Sequence, residues 1–267
     1  MKITSHSSTR KHGGSRLTKG ICALVATLVA PHTTAAVVDL GTASDFAVLA
    51  GSGITIAGPV NSTLITGDIG SHPTPSITGL ENLVLNGTNH EGNSVTEQAK
   101  ADLGIAYTDA VSRTFDVSYA DGHVLSGSFN PGVYNGAGSL FINNTLTLDA
   151  GGDPNAVWIF QTNTTLITGT ASLVELVGGA RATNVFWQVG SSATLGTDTE
   201  FVGSILASES ISLNTGATII EGRALAMNGA VTLDNNTIVI PEPGSALLLA
   251  SGLMLGLLRR RVTRNTR

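Results

Sequence analysis

Residues 203–240 read GSILASESISLNTGATIIE and then GRALAMNGAVTLDNNTIVI, two passages of one pattern about nineteen residues apart. Each opens on a glycine and a small apolar run, Gly203-Ser-Ile-Leu-Ala or Gly222-Arg-Ala-Leu-Ala, and continues into an alternating Ile-Ser-Leu or Val-Thr-Leu triplet. A repeat this short cannot bury a hydrophobic core of its own, so its copies must stack on one another. Upstream, Asn155-Ala-Val-Trp-Ile-Phe-Gln-Thr and Asn184-Val-Phe-Trp-Gln-Val-Gly-Ser read as earlier versions of the opening run.

The second strand of each unit aligns on a leucine: Leu148, Leu166, Leu195, Leu213 and Leu233, preceded two residues earlier by Leu146, Thr164, Ala193, Ile211 and Val231. Side chains alternate across a strand, so these columns point inward and the intervening residues point outward. The outward columns are Thr147, Thr165, Thr194, Ser212 and Thr232, and beside them Thr145, Asn163, Ser192, Ser210 and Ala230. Thr55, in Gly53-Ile-Thr-Ile, joins them from the N-terminal part. This face offers hydroxyls and methyls without a charge. A second face, with Val157, Ile159, Phe186, Leu206, Ala224 and Ala226 outward, is apolar and needs a cover, whereas Glu200, Val202 and Glu221 mark a third, solvated face.

One segment breaks the strand pattern. Ser94-Val-Thr-Glu97 reads as a capping box, and Val95, Ala99, Leu103, Ala106, Tyr107, Ala110 and Val111 follow at spacings of three and four. The periodicity predicts one amphipathic helix from Ser94 to about Phe115, lying along the apolar face. The expected fold class is all-β dominated: a three-faced β-solenoid of triangular cross-section with one long helix packed alongside.

Charge separates the ends from the body. Residues 1–36 carry Lys2, Arg10, Lys11, Arg16 and Lys19 before an apolar run and small residues, the form of an export leader cut near Ala35 or Ala36. Residues 241–267 run from Pro241-Glu242-Pro243 through an apolar stretch to Arg259, Arg260, Arg261, Arg264 and Arg267, a sorting or membrane-anchoring tail. Between them, residues 37–240 hold only Lys100, Arg113, Arg181 and Arg223 against eighteen Asp and Glu, a net of −14. No basic stripe exists to meet phosphates, so nucleic acid is excluded as a partner. The lone cysteine, Cys22, falls in the leader, and packing alone must hold the body.

Catalysis finds little to work with. His72, His90 and His123 fall in loops without metal-ligand spacing, and Asp68, Asp149 and Asp153 read as turn residues. Neither enzymatic activity nor a cofactor or metal is expected. The hydroxyl face has a regular geometry instead, with neighbouring strands about 4.7–4.9 Å apart and alternate residues about 6.5–7 Å apart. Such an array can order water in register with an ice surface. A solvated sheet rich in residues of good β-propensity would read the same way.

Several longer motifs are specific. Leu40-Gly-Thr-Ala-Ser-Asp-Phe-Ala-Val-Leu-Ala, Ile65-Thr-Gly-Asp-Ile-Gly, Pro131-Gly-Val-Tyr, Asn155-Ala-Val-Trp-Ile-Phe-Gln, Asn184-Val-Phe-Trp-Gln-Val-Gly-Ser-Ser-Ala-Thr-Leu-Gly and Gly222-Arg-Ala-Leu-Ala resemble the ice-binding protein family of cold-adapted bacteria, fungi and diatoms, over about Val38 to Ile240. The resemblance implies a discontinuous right-handed β-solenoid whose flat face of Thr, Ser and Ala meets ice or ordered water. A monomer is expected. Some members carry a Thr-Ala/Gly-X-Thr/Asn pattern that this chain does not repeat regularly. The tail resembles the PEP-CTERM sorting signal, which implies an exosortase-type processing enzyme and a place on, or release from, the outer surface of a Gram-negative bacterium. The alternative is a surface adhesin or matrix protein. Aromatic rows that stack sugar rings would favour it, and Tyr107, Tyr119 and Tyr134 form no such visible row.

Overall fold

The computed structural model describes residues 35–240. Residues 1–34 of the expected leader and residues 241–267 of the expected sorting tail lie outside the described residues. Six short strands come first: β1 (Phe46–Ala50), β2 (Ile54–Ala57), β3 (Thr63–Thr66), β4 (Asp68–Ser71), β5 (Ile77–Thr78) and β6 (Leu83–Asn86). The helix α1 (Ser94–Ser112) follows, then β7 (Val117–Tyr119), β8 (His123–Phe129), β9 (Gly132–Gly136), β10 (Leu140–Asp149), β11 (Trp158–Thr162), β12 (Leu166–Thr168) and β13 (Leu173–Val177). The last turns hold β14 (Val185–Val189), β15 (Ala193–Leu195), β16 (Glu200–Ala207), β17 (Ile211–Leu213), β18 (Thr218–Ala226), β19 (Val231–Asp234) and β20 (Thr237–Val239).

Every strand pairing is parallel, and the pairings sort into three faces. The hydroxyl face runs β5, β2, β19, β17, β15, β12, then residues 140–142 of β10 and the start of β8. The helix face runs β4, β1, the ends of β18 and β16, then β14, β11, β9 and β7. The third face runs β6, β3, β20, the starts of β18 and β16, then β13, residues 145–149 of β10 and the end of β8. β1 and β2 pair with β18 and β19, so the first turns of the chain stack on its last turn. That is a discontinuous solenoid, with α1 carrying the chain to the far end. Ile240 donates its N–H to Thr66 O at the corner between the third face and the helix face, opposite the hydroxyl face.

Inside the triangle the aromatic side chains set the register. Phe160 and Trp187 stack with centroids 4.3 Å apart, and Phe160 lies directly opposite Trp187 across the ladder. The tryptophans are therefore not equivalent, contrary to the alignment on Asn155 and Asn184. Trp158 sits opposite Val185, and Gln161 faces Gln188. Indole over indole would crowd one rung and starve the next, whereas the observed offset spreads the volume and lets each indole N–H find a carbonyl: Trp158 Nε1 on Phe129 O at 3.2 Å, Trp187 Nε1 on Val202 O at 3.0 Å.

The helix covers the apolar face as expected, burying Ala99, Leu103, Ala106 and Ala110 against Val157, Ile159, Phe186, Leu206 and Leu225. Ala224 and Ala226 flank the outward Leu225 and so point into the core, a correction to their expected outward placement. Val95 and Val111 lie on the solvent side of the helix. Asn93, not Ser94, caps the N-terminus, its Oδ1 accepting from Val95 N at 2.9 Å and Thr96 N at 3.2 Å. The C-terminus comes at Ser112, short of Phe115, because Gln161 Nε2 donates to Ala110 O and Arg113 O, each at 2.8 Å, and satisfies carbonyls that another turn would have used. Lys100 is a docking residue and not a surface one. Its Nζ donates to Ala226 O and Met227 O at 2.5 Å, and burial lowers its pKa to about 8.

At the corner between the hydroxyl face and the third face, Ala171, Asp198, Gly216 and Asn235 all adopt positive φ. Their backbone hydrogen bonds stack them in register, Ala171 N to Thr197 O and Asp198 N to Thr215 O. A constant corner keeps the faces flat from rung to rung. The outer edge of β4 is covered by residues 88–91, where Ile69 N donates to Thr88 O and Ser71 N to Glu91 O, and His90 Nε2 lies 2.7 Å from Asp68 Oδ2.

Candidate functional site: a flat hydroxyl face

On the hydroxyl face the strand registers place Thr78, Thr55, Thr232, Ser212, Thr194, Ile167, Phe141 and Val124 in one outward column. Beside it run Ser76, Gly53, Ala230, Ser210, Ser192, Thr165 and Ser139, each one residue before its strand and joined by backbone bonds such as Ile211 N to Ala230 O and Ala193 N to Ser210 O. Behind them Ile54, Val231, Ile211, Ala193 and Leu166 are buried and hold the backbone flat. The two columns contain no Asp, Glu, Lys or Arg.

Thr55, Ser192, Thr194, Ser210, Ser212, Ala230 and Thr232 are brought together as the alternation argument expects. The remaining residues are placed differently. Thr145 and Thr147 lie on the third face, opposite Leu173 and Glu175, because β10 is one extended strand that crosses a corner. Its leucines at 146 and 148 line the core of that face and imitate the pattern of the hydroxyl face. Thr165 stands beside Ser192, not Thr194, since Leu166 pairs with Ala193 and not with Leu195. Asn163 is exposed at the preceding corner, with Nδ2 on Ala137 O at 3.2 Å. The inward members of β12 are Leu166 and Thr168, the hydroxyl of Thr168 lying 2.7 Å from Thr199 Oγ1 in the interior, and Thr164 is exposed.

Sequence reasoning missed Thr78 and Ser76. Ile77-Thr78 repeats Ile54-Thr55 between Pro75 and Gly79, and that echo is the signal that could have found them. It also missed Thr215-Gly216-Ala217-Thr218, an instance of the Thr-Gly-X-Thr pattern, which forms the corner turn beside β17.

The hydroxyls divide into two kinds. Those of Thr78, Thr55, Thr232, Ser212 and Thr194 make no hydrogen bond to another described residue and are left for water. The flanking hydroxyls brace the face. Ser192 Oγ accepts from Ser210 N and Ser210 Oγ from Ala230 N, both at 3.2 Å. A surface of this kind, with methyls and free hydroxyls on a rigid grid about 4.7–4.9 Å between rungs, holds water in fixed places without the dense hydration shell of a charge.

Several other polar and aromatic residues are engaged within the fold. Asp149 Oδ1 and Asp153 Oδ1 each accept a backbone N–H two residues on, from Gly151 and Asn155, at 2.9 Å. His123 stacks on Tyr119 at 4.0 Å, Tyr134 packs against Phe129 and Phe160, and Tyr107 takes a hydrogen bond of 2.9 Å from Gln188 Nε2.

Fold and face together define a helix-buttressed, discontinuous β-solenoid with one flat, uncharged face. Residues 48–239 match the family described as Ice-binding-like, and the chain belongs to that family. An ice-binding protein of Nostoc sp. (strain HG1) is 42% identical over 228 residues, 80% of this chain and 83% of that one. An ice-binding protein of Colwellia sp is 37% identical, over 76% of this chain and 84% of its own. Among solved structures, the ice-binding protein of the Antarctic ascomycete Antarctomyces psychrotrophicus superposes with a TM-score of 0.74 at 41% identity, over 78% of this chain and all of that one. One from an Antarctic biological consortium gives 0.74 at 45% identity, over 78% and 93% of the two chains.

Proposed function

We propose that this protein adsorbs to ice through its hydroxyl face, shaping ice crystals and slowing their recrystallisation. The observation that carries the reading is the column Thr78, Thr55, Thr232, Ser212 and Thr194, stacked without a charge and with its hydroxyls unshared, on the fold of relatives that bear the name of ice-binding proteins. Water ordered at this grid merges with the lattice, and many weak contacts held rigid at once make adsorption persistent. No residue is assigned a catalytic role. Residues 1–36 we read as an export leader and residues 241–267 as a sorting tail, placing the domain on or outside a Gram-negative cell surface.

Thr194→Tyr tests the reading. A ring in the middle of the column lifts a flat crystal face away from its neighbours, so crystal shaping and recrystallisation inhibition disappear while the circular dichroism spectrum and Tm stay close to those of the parent. A folded Thr194→Tyr protein that still shapes ice refutes the choice of face.

A further inference from the structure

The outward column of the hydroxyl face changes chemistry between β15 and β12. Thr194 is followed by Ile167, Phe141 and Val124. The core does not require this. On the same rungs Leu140, Ile142 and Leu166 already fill the interior, while Phe141 and Ile167 are half-buried and Val124 is 40% exposed. The flanking hydroxyls change with them. Thr165 Oγ1 donates to Ser139 Oγ at 3.0 Å, and Ser139 Oγ lies 2.9 Å from Thr164 Oγ1, so on these rungs the hydroxyls satisfy one another.

We infer that Phe141, with Ile167, sets the boundary of the ice-contact area and confines adsorption to the rungs from Thr78 to Thr194. This rests on the proposed ice-binding role of the face. Two physical terms act together at the boundary. A phenyl ring reaches about 3 Å further from the backbone than a threonine methyl, by ordinary bond lengths, so a flat lattice seated on Thr194 cannot continue over Phe141 at the same height. The outward side chains of Ile167, Phe141 and Val124 also offer water no donor or acceptor, and the hydroxyls of Thr164, Thr165 and Ser139 beside them are partly taken up by one another. The contact area is thus assembled from both ends of the chain, Thr55 and Thr78 from the first turns and Thr194, Ser212 and Thr232 from the last, and the middle turns are left out.

The full-length protein and the variants Phe141→Thr/Ile167→Thr, Val124→Glu and Thr194→Tyr are compared by nanolitre osmometry for thermal hysteresis at equal concentration, with Tm recorded for each. The double variant extends the column from five rungs to seven, about 1.4-fold in length at constant rung spacing, and hysteresis rises above the parent's. Val124→Glu places a charge beyond the boundary and leaves hysteresis unchanged. A folded double variant with hysteresis equal to or below the parent's overturns the inference even where Thr194→Tyr abolishes activity and the ice-binding face stands. Should the double variant not fold, loss of hysteresis in folded Val124→Glu overturns the boundary, and retention supports it. A folded parent without hysteresis overturns the face and the boundary together.

Discussion

Lys100 joins α1 to the solenoid, and its burial makes stability depend on pH in an unusual direction. Two carbonyls, Ala226 O and Met227 O, accept from its ammonium, yet loss of water dominates and the pKa falls from 10.5 to about 8. Between these values the unfolded chain keeps the proton and the folded chain releases it. The unfolded state then binds more protons, and stability rises with pH. At 1.36 kcal/mol per pKa unit the gain amounts to about 2–3 kcal/mol by pH 10. Tyr134 turns the curve over. Burial, with Tyr119 and Asp116 nearby, pushes its pKa up to about 12, so above pH 10 the unfolded tyrosine ionises first and stability falls. Urea denaturation at pH 7, 8.5 and 10 therefore gives a midpoint that climbs over this range in the parent and stays flat in Lys100→Met. A parent midpoint that is level or falling from pH 8 to 10, or a climb that persists in Lys100→Met, refutes the reasoning. Ice shaping by Lys100→Met is retained as long as it stays folded, because the helix and the hydroxyl columns occupy different faces.

Thr145→Tyr, on the third face, leaves crystal shaping intact, in contrast with Thr194→Tyr; loss of shaping would return residue 145 to the contact area. Asn93→Ala removes the cap of α1 and lowers unfolding free energy by about 1 kcal/mol, read from the urea midpoint. Phe160→Ala hollows the aromatic stack between Tyr134 and Trp187 and costs about 3–5 kcal/mol, a shift large enough to appear as a much lower Tm.

The stacked architecture, the helix and the uncharged character of one face were legible because each depends on local periodicity: short alternating strands, a spacing of three and four from Ala99 to Ala110, and small polar residues between inward apolar ones. Register was not. Leu146 and Leu148 obey the same alternation as Leu213, but they do so after β10 has turned the corner, and a period of two carries no record of which face a strand is on. The partner of Thr55 in space is Thr78 on one side and Thr232 on the other, and the second pairing crosses the break in the solenoid, where no nearby residue encodes it. The end of α1 is set by Gln161, far along the chain, so helical periodicity alone overran it.

The exit of the chain at Ile240, held by Thr66 O at the corner away from the hydroxyl columns, fixes an orientation. A fluorescent reporter or a bead linker fused directly after Ile240 is attached at the apex behind the contact plane. Coupling to a solid support through that end presents every molecule with its threonines outward, so a coated surface captures frost crystals, whereas random attachment through side chains would waste part of the layer.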